Sequence, residues 1–500
     1  MVAPYAELTA LFERYHHLKS AADVLEWDAA VLMPAGAADL RGGQLAAVRV
    51  AAHELIASPR TKELLAKVDD TKLDAWERAN VALMRRAHLH ASALPEPLVE
   101  ARTKAATACE VVWRGARREA DFARLVPLLD EVVRITREVA AAKAEVLGVS
   151  PYEALADEYE PGVRTADLDA LFATLGAELP ALVGAIVEHQ AKKPAPIPLV
   201  GPFPADKQAA LGRALAERLG FDFDRGRLDV STHPFCGGSP EDVRMTTRFD
   251  EADFFSSVLS TVHETGHALY ELGLPREWVR QPVGKAIGMA MHESQSLLVE
   301  MQACRSPEFL SFFAPLAREH LGAASTDDGA FAPENLLRHA LEVKRGFIRV
   351  DADEATYPLH VILRYRLERA MIAGDLKVAD LPGAWNEGMR ELVGVVPPDD
   401  RLGCLQDIHW PSGAFGYFPS YTMGAIAASQ IFRAANAHDA TIRPKLAGGD
   451  FGPLVSFLRE HVHGQGSRWT TQELLERVTG KRLDAIGFLG HLRERYLGAA

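Results

Sequence analysis

The chain has 500 residues, of which 48% are hydrophobic and 25% are charged, a composition typical of a soluble globular protein with ample apolar material for a core. Its formal net charge of −13, without any run of basic residues, argues against a nucleic-acid partner, because such a partner needs clustered positive charge. The start of the chain lacks a basic stretch followed by an apolar one, and no segment approaches about 18 uninterrupted apolar residues, so we expect neither a secretion signal nor a membrane span.

Helical periodicity dominates the chain, with apolar residues three to four apart in segments such as "VPLLDEVVRITREVAAAKAEVL" at 126–147. Proline- and glycine-rich breaks are few, and the clearest lie at 192–204, 236–240 and 394–421. The sequence contains neither a repeat of fixed period nor a flexible Gly/Ser linker. We therefore expect a mainly helical protein with a single domain over residues 1–500.

The segment "EDVRMTTRFD" at 241–250 interrupts this helical periodicity. Val243, Met245, Thr247 and Phe249 alternate with charged residues and a threonine, which predicts a β-strand with one buried face. An exposed strand edge can pair with an extended peptide. We expect this strand to provide such an edge beside the helix that follows it.

The segment "SSVLSTVHETGHALYELG" at 256–273 has the pattern of an amphipathic helix that ends at Gly273 as a C-cap. Its predicted buried stripe consists of Val258, Val262, Leu269 and Leu272. His263 and His267 stand four apart and share one helix face, so both imidazoles can bind one ion. Glu264 follows the first histidine, which completes the H-E-x-x-H pattern of two zinc ligands and a general base. The alternative is an ordinary solvated helix face that carries two histidines.

Catalytic zinc needs a third protein ligand and an open position for water. Glu293, in the apolar segment "GMAMHESQSLLVEMQ" at 288–302, is our candidate for that ligand, because its distance from His267 suits a helix–loop–helix return. His292 and Glu300 compete for the ligand role. His292 is better explained as an outer partner of a ligand or as a structural residue.

Four cysteines are scattered along the chain without a CxxC pair: Cys109, Cys236, Cys304 and Cys404. In so long a chain this spacing predicts reduced thiols and a cytoplasmic protein rather than a disulfide framework.

Six ordered motifs together resemble a known family, the metallocarboxypeptidases typified by carboxypeptidase Taq (peptidase family M32). The motifs are "HPF" (233–235), "DVRMT" (242–246), "HETGH" (263–267), "HESQS" (292–296), "IRVDAD" (348–353) and "GCLQDIHW" (403–410). Weaker similarities extend the resemblance over nearly the whole chain: "WDAAVLMP" (27–34), "DEYEPG" (157–162) and "FGYFPSY" (415–421). Cys236 after "HPF" departs from the usual small polar residue.

The resemblance implies a mainly α, saddle-like zincin fold with helical lobes around a deep central groove and a small edge β-sheet, related to the neurolysin and angiotensin-converting-enzyme peptidases. It also implies a homodimer, Zn²⁺ as cofactor with Co²⁺ able to substitute, and removal of C-terminal amino acids from peptides with broad specificity. Peptides with a free C-terminus are then the expected partners, without a nucleic acid or a membrane.

The resemblance also suggests roles for residues outside the metal helix. His409 and Tyr421 are the candidates for stabilising the oxyanion. Tyr417 is a candidate for binding the substrate and an alternative to Tyr421 as the oxyanion donor. Arg349 is the candidate receptor for the terminal carboxylate, because a guanidinium matches a carboxylate with two parallel hydrogen bonds. Arg349 could instead pair with Asp353 four residues later on a predicted helix, and Asp353 could also orient it.

His233 and Arg244 are expected to line the groove, and Arg244 is a second candidate for the carboxylate. A structural role for Asp242, Arg244 and Thr246 is an equally supported alternative. Two other functions compete with the carboxypeptidase. One is an oligopeptidase that cuts internal bonds with the same zinc site. The other is a helical metal-binding protein without catalysis, against which Glu264 argues, since a structural site does not need that carboxylate.

Overall fold

A computed structural model of the chain describes residues 3–321 and 329–498, and these form mainly helices with one small sheet, as the sequence predicts. The α-helices in chain order are α1 (Ala3–Val31), α2 (Ala38–Ala57), α3 (Pro59–Lys67), α4 (Ala75–Ser92), α5 (Glu96–Glu119), α6 (Phe122–Leu147), α7 (Pro151–Ala156), α8 (Thr165–Gln190), α9 (Ala205–Leu219), α10 (Phe254–Gly273), α11 (Met289–Leu297), α12 (Pro307–Leu321), α13 (Pro333–Ala340), α14 (Tyr357–Ala373), α15 (Leu381–Leu392), α16 (Pro419–His438), α17 (Ile442–Leu446), α18 (Gly452–His461), α19 (Thr471–Thr479) and α20 (Ala485–Leu497). The strands are β1 (Gly226–Val230), β2 (Cys236–Ser239) and β3 (Asp242–Thr247).

The chain divides into two compact units, each formed by three stretches of sequence. The first unit comprises Met1–Ala91, Ala195–Ala340 and Ala427–Arg482, and it contains the sheet and the H-E-x-x-H helix. The second unit comprises Ser92–Pro194, Leu341–Ile426 and Leu483–Ala500, and it contains the later candidate residues, from Arg349 to Tyr421. That the whole chain forms one domain stays a prediction.

The core of the first unit next to the sheet is built from α9, β3 and α10. Val243 and Met245 of β3 pack with Ala268 and Leu272 of α10, and all four side chains are buried. The predicted stripe of α10 is buried throughout, at Val258, Val262, Leu269 and Leu272. Because this stripe faces the core, the opposite side of α10 is free to present the histidines.

Helix α8 of the second unit is long and apolar enough to cross a membrane by length and composition. One helix of this kind is weak evidence for a membrane protein, since the core helix of a soluble protein passes the same test. Its buried residues recur three to four apart, which is the pattern of a helix packed by one face: Leu168, Leu171, Phe172, Leu175, Leu179, Leu182, Val183 and Ile186. The absence of a membrane span stays a prediction.

The predicted strand at 241–250 is confirmed as β3, but its place in the sheet differs from our expectation. The strand order is β1-β3-β2, with β1 parallel and β2 antiparallel to β3, so β3 is the central strand and the free edges belong to β1 and β2. Thr246 was expected on the polar side, yet it is fully buried. Its hydroxyl accepts a hydrogen bond from the Phe235 backbone N–H at 3.1 Å and lies 2.7 Å from the Ser231 hydroxyl.

The prediction that Gly273 is the C-cap of α10 is wrong by one residue. Gly273 is the last helical residue, and the cap is Leu274 in an extended conformation. A Cβ at Gly273 would lie 2.4 Å from Nδ1 of His463. The glycine is therefore explained by the close approach of a buried histidine.

We expect Thr246→Val to lower the free energy of unfolding by about 1–3 kcal/mol, because it leaves the N–H of Phe235 without its acceptor at nearly unchanged volume. Thr103→Val on the exposed face of α5 removes only a hydrogen bond to a carbonyl of its own helix, and a change within about 0.5 kcal/mol is expected there. Chemical denaturation of both variants provides the measurement. Equal stability of the two would contradict a structural role for the Thr246 hydroxyl.

Candidate metal centre

Two helices of the first unit bring three metal-binding side chains together. Donor atoms of His263, His267 and Glu293 all lie within 4.8 Å of one another. Oε2 of Glu293 is 4.0 Å from Nε2 of His263 and 3.5 Å from Nε2 of His267. Ligand atoms around a tetrahedral zinc ion stand about 3.3 Å apart, so this donor set fits a divalent ion after small adjustments.

Gly266 allows α11 to approach α10 at this point. A Cβ at Gly266 would lie 2.6 Å from both the carbonyl oxygen of Gln295 and the Cα of Ser296. Contact of backbone with backbone therefore sets the distance between the two helices. Glu293, on α11 one turn before the contact, is thereby held opposite the two histidines of α10.

Each histidine of the centre has a hydrogen-bond partner on its outer nitrogen. Nδ1 of His263 lies 2.9 Å from a carboxylate oxygen of Glu300, which is in turn paired with Arg305. Nδ1 of His267 lies 2.6 Å from Nδ1 of His292. In the neutral tautomer in which both Nδ1–H groups donate outwards, each Nε2 presents its lone pair on the side of Glu293. Such partners orient metal-binding histidines and raise their basicity.

Glu300 and His292, the two alternatives to Glu293 as the third ligand, contact the histidines from outside the donor set. Glu300 lies in a π-helical turn, Leu298–Ala303, that continues α11. His292 uses its second nitrogen to contact Glu271 at 2.9 Å, which forms a chain from Glu271 through His292 to His267. Glu271 and Arg305 were not identified from the sequence, since no motif marks a residue whose partner is distant along the chain.

Clustered carboxylates give the centre a negative potential. Burial disfavours a charged imidazole, yet Glu300, Glu293 and Glu264 outweigh it and raise the pKa of His263 to about 10. Burial, together with Glu293 and Glu300, raises the pKa of Glu264 to about 7. One oxygen of Glu264 is buried and has no hydrogen-bond partner among residues 3–321 and 329–498. The same potential favours a bound cation, and a divalent one most.

Comparison with known proteins identifies the family. The sequence profile of the carboxypeptidase Taq (M32) metallopeptidase family matches residues 7–496. The chain belongs to the M32 metallocarboxypeptidase family. A divalent metal is therefore implied for it, and the donor set of His263, His267 and Glu293 has the chemistry to hold one.

Relatives of this M32 chain match it over nearly the full length. Thermostable carboxypeptidase 1 of Thermus thermophilus is 38% identical, with 99% of this chain and 98% of the relative covered. The structure of Trypanosoma cruzi metallocarboxypeptidase 1 has a TM-score of 0.96 and 39% identity, and the match covers 99% of this chain and 100% of that one. A Pyrococcus furiosus carboxypeptidase structure has a TM-score of 0.94 and 33% identity, with 99% of both chains covered.

Arg349 lies in the second unit on a short 3₁₀ segment, Arg349–Asp351, and is buried. Its Nε and Nη2 donate to one oxygen of Asp407 at 3.1 and 3.0 Å. The predicted pairing with Asp353 is not observed, because Asp353 instead accepts from the N–H groups of Ala355 and Thr356 before α14. Asp407 is thus the partner that orients Arg349, and it was present but unassigned in the quoted motif "GCLQDIHW".

Asp407 lies between two buried arginines. Its second oxygen accepts from Nε of Arg364 at 2.7 Å. Among residues 3–321 and 329–498, Asp407 is the carboxylate that forms an ion pair with either of these arginines. One anion therefore faces two cations in a buried environment. Arg364 was missed because an arginine within a helix has no distinguishing sequence pattern.

His409, Tyr417 and Tyr421 cluster with Arg349 in the same unit. Nε2 of His409 lies 3.3 Å from the Tyr421 hydroxyl, and the ring centroids of His409 and Tyr417 are 5.4 Å apart. The guanidinium of Arg349 lies 4.6 Å from the ring centre of Tyr421. Burial, with help from the nearby arginines, lowers the pKa of His409 to about 4, so its imidazole is neutral near neutral pH and retains one N–H donor.

A buried carboxylate, Glu368 of α14, anchors the loop that carries these residues. It accepts hydrogen bonds from the Trp410 indole at 2.9 Å, the Tyr152 hydroxyl at 2.8 Å and the Gly416 N–H at 3.1 Å. Three donors on one carboxylate satisfy its lone pairs, and the two from this loop hold Trp410 and Gly416 at the same carboxylate. Sequence reasoning did not find Glu368, because its donors are far from it along the chain.

His233 and Arg244 of the first unit have different surroundings. His233 is exposed, and its backbone carbonyl accepts from the Ser231 hydroxyl at 2.7 Å. Arg244 makes two hydrogen bonds to Asp242, at 2.9 and 2.8 Å, and its guanidinium lies 4.3 Å from the Trp27 ring centre. Asp242 thus already engages Arg244, which favours the structural alternative. Substrate binding by these two residues stays a prediction.

Gly266→Ala is expected to force α10 and α11 apart and to lower metal affinity about tenfold or more, because ligand orientation is disturbed. Gly43→Ala in α2 is the matched control. A Cβ there meets no atom within 4 Å, so that substitution should leave metal affinity unchanged and raise stability by about 0.5–1 kcal/mol. Titration of the metal-free proteins with Zn²⁺ measures both. Unchanged affinity in Gly266→Ala would refute the contact argument.

Proposed function

We propose that this M32 family member is a zinc carboxypeptidase that removes C-terminal amino acids from peptides with broad specificity, with Co²⁺ able to replace Zn²⁺. One observation carries the proposal: the donor set of His263, His267 and Glu293 adjoins Glu264, whose buried carboxylate oxygen lacks a hydrogen-bond partner among residues 3–321 and 329–498. A metal-binding site without catalysis gives no reason for such a carboxylate. The family membership and the names of the relatives support the same activity.

In this proposal His263, His267 and Glu293 hold the ion, and Glu300 and His292 keep the two imidazoles in the tautomer that binds it. A divalent ion held there lowers the pKa of a water molecule and polarises a carbonyl group. Glu264 accepts the proton of the attacking water and delivers it to the leaving amine, so that it acts first as base and then as acid. A pKa raised towards neutrality by burial suits both halves of this proton transfer.

We propose that Arg349 receives the terminal carboxylate of the substrate. With Nε and one hydrogen of Nη2 turned to Asp407, the end of the guanidinium that carries Nη1 is the part that can bind a ligand. Within residues 3–321 and 329–498, the hydrogen bond of Nη1 is a long contact of 3.4 Å to the Tyr357 hydroxyl. In the described part of the chain, Arg349 and Arg364 share Asp407 as their one carboxylate partner, so this cluster carries excess positive charge that a bound anion would balance.

His409 and Tyr421 are proposed as oxyanion donors, with Tyr417 as the alternative to Tyr421. The contact of His409 with the Tyr421 hydroxyl supports their acting as a pair, and the neutral state of His409 leaves it a donor. We also propose a homodimer, as the family resemblance implies, and a cytoplasmic location, as the cysteine pattern indicates. The four cysteines are unpaired, which agrees with a reducing compartment.

Glu264→Gln tests the proposed base. The variant should bind Zn²⁺ with unchanged affinity, since its ligands are untouched, yet lose about 10²–10⁴-fold in kcat. Release of free amino acid from an N-blocked dipeptide measures activity, and wild type with a chelator, then with Zn²⁺ restored, is the reference. Glu77→Gln, at the exposed start of α4, carries the same chemical change as a control. Near-normal turnover in Glu264→Gln would exclude this residue as the base.

Arg349→Ala tests the exopeptidase specificity. Loss of one partner of a buried charge pair costs roughly 2–5 kcal/mol, or about 30-fold to several thousand-fold in kcat/KM, for a peptide with a free carboxylate. A peptide amidated at its C-terminus should be much less affected, and Arg349→Lys should restore only part of the loss, because an ammonium lacks the planar fork.

The control for this test is Arg366→Ala, which removes an exposed arginine of the same unit. Mass spectrometry of a longer peptide digest distinguishes a C-terminal ladder from internal cuts. Equal losses on acid and amide would make Arg349 structural, and internal cuts by wild type would favour the oligopeptidase.

A further inference from the structure

A cavity of about 470 Å³ in the first unit is bordered by α1, by β2 and β3, and by α10. Asp23 and Trp27 of α1 form one wall, Cys236 and Gly237 of β2 another, and Glu271 of α10 a third. The mechanism above leaves this space without a role. Its walls carry both charge and unused hydrogen-bonding capacity.

The cavity adjoins the metal centre on two sides. Glu271 contacts His292, which in turn contacts His267, so one wall is two hydrogen bonds from a metal ligand. Cys236 of β2 borders the cavity, and β2 packs against α10, the helix that carries the proposed base Glu264. A peptide whose scissile bond is next to Glu264 therefore has this cavity within reach of its neighbouring residues.

The cavity wall has an excess of negative charge. Its one arginine, Arg244, is balanced by two hydrogen bonds to Asp242. Glu26 faces outwards and pairs with Arg49. Glu271 contacts His292 at 2.9 Å, whereas Asp23 forms no ion pair within 4 Å in residues 3–321 and 329–498. Burial raises the pKa of Asp23, and the charges of Lys19 and Lys285 offset only part of that rise. A half-buried carboxylate with no partner at a cavity wall is the complement of a ligand cation.

Two further groups suit a peptide rather than a free ion. The indole N–H of Trp27 is buried and lacks a hydrogen-bond partner within the described ranges, so it can donate to a peptide carbonyl. Cys236 and Gly237 belong to β2, an edge strand of the sheet, which can pair with an extended chain. A cationic group attached to a peptide backbone fits all three features: the cation can pair with the acidic side chains, and the backbone can hydrogen-bond to the indole N–H and to the strand edge.

We propose that this cavity is a binding subsite for a positively charged group of the substrate, located on the N-terminal side of the cleaved bond. The group is an ammonium or guanidinium, supplied either by a Lys or Arg side chain or by the amino terminus of a short peptide. This inference rests on the proposed carboxypeptidase function and adds a preference for substrates with an upstream cation. Selection of the terminal residue itself is a separate property.

The test compares N-acetylated tetrapeptides in which one upstream position at a time is Lys, norleucine or Glu. Wild type should prefer Lys over norleucine by about tenfold in kcat/KM at one position and should discriminate against Glu there. A second pair, the neutral peptide with a free or an acetylated amino terminus, shows whether the terminal amine can serve as the cation. Asp23→Asn should reduce these ratios to near unity and leave the neutral peptide unchanged.

Two further variants separate the cavity from general charge effects. Asp39→Asn makes the same change at an exposed position of α2 outside the cavity and should keep the Lys preference. Gly237→Leu is the second variant, because a Cβ there meets no atom within 4 Å. Its larger side chain should lower kcat/KM for every peptide long enough to reach the cavity, regardless of charge. Circular dichroism verifies that each variant is folded.

Binding to the Glu264→Gln variant separates this inference from the proposed function. Calorimetry of the same peptides gives the ratio of Kd between Lys and norleucine without turnover, and a ratio of about ten is expected. Equal Kd at every position, or equal Lys preference in Asp23→Asn and Asp39→Asn, would overturn the subsite. A charge preference in binding while wild type releases no amino acid would uphold the subsite and overturn the carboxypeptidase.

Discussion

Backbone contact between α10 and α11 at Gly266 is the constraint on which the metal centre depends. The two imidazoles are placed by helical spacing alone, since residues four apart share a face. The third donor, Glu293, comes from another helix, and its distance from the imidazoles is set by how closely the helices pack. A Cβ at Gly266 would lie 2.6 Å from the Cα of Ser296, so only glycine allows this approach of the helices, in which Glu293 lies 3.5 Å from His267.

Hydrogen bonds to the outer nitrogens of the two histidines orient the imidazoles that the helix packing brings near Glu293. Glu300 contacts Nδ1 of His263 and is itself paired with Arg305. His292 contacts Nδ1 of His267 and in turn contacts Glu271. The imidazoles are thus oriented by chains of partners rather than by packing alone. Glu271 belongs both to this chain and to the cavity wall of the first unit. A cation bound in the cavity would therefore act on the same carboxylate that supports His292.

In the second unit, one buried carboxylate pairs with two buried arginines. Asp407 holds Arg349 and Arg364 together, and Glu368 holds the loop that contains His409. Burying two guanidiniums with one carboxylate is costly unless another anion joins them. That cost is the physical reason for proposing that the cluster binds a carboxylate. Asp353 is not the partner of Arg349, because it accepts hydrogen bonds from the N–H groups of Ala355 and Thr356 before α14.

Much of this protein was readable from the sequence, because the relevant signals are local. The helical class, the buried stripe of α10, the strand at β3 and the histidine pair all follow from periods of 3.6 or 2 and needed no knowledge of distant residues. Ordered motifs added the family, which the profile match over residues 7–496 confirms.

Tertiary structure alone decided which distant residues meet. In the folded chain, β3 is the central strand of the sheet, and Gly273 is in close contact with His463. Arg349 pairs with Asp407, and Glu300 contacts the outer nitrogen of His263. None of these follows from periodicity, because hydrogen bonds and close contacts between segments far apart in sequence leave no pattern in either segment. The sequence by itself determined which residues could do chemistry, and packing determined their partners.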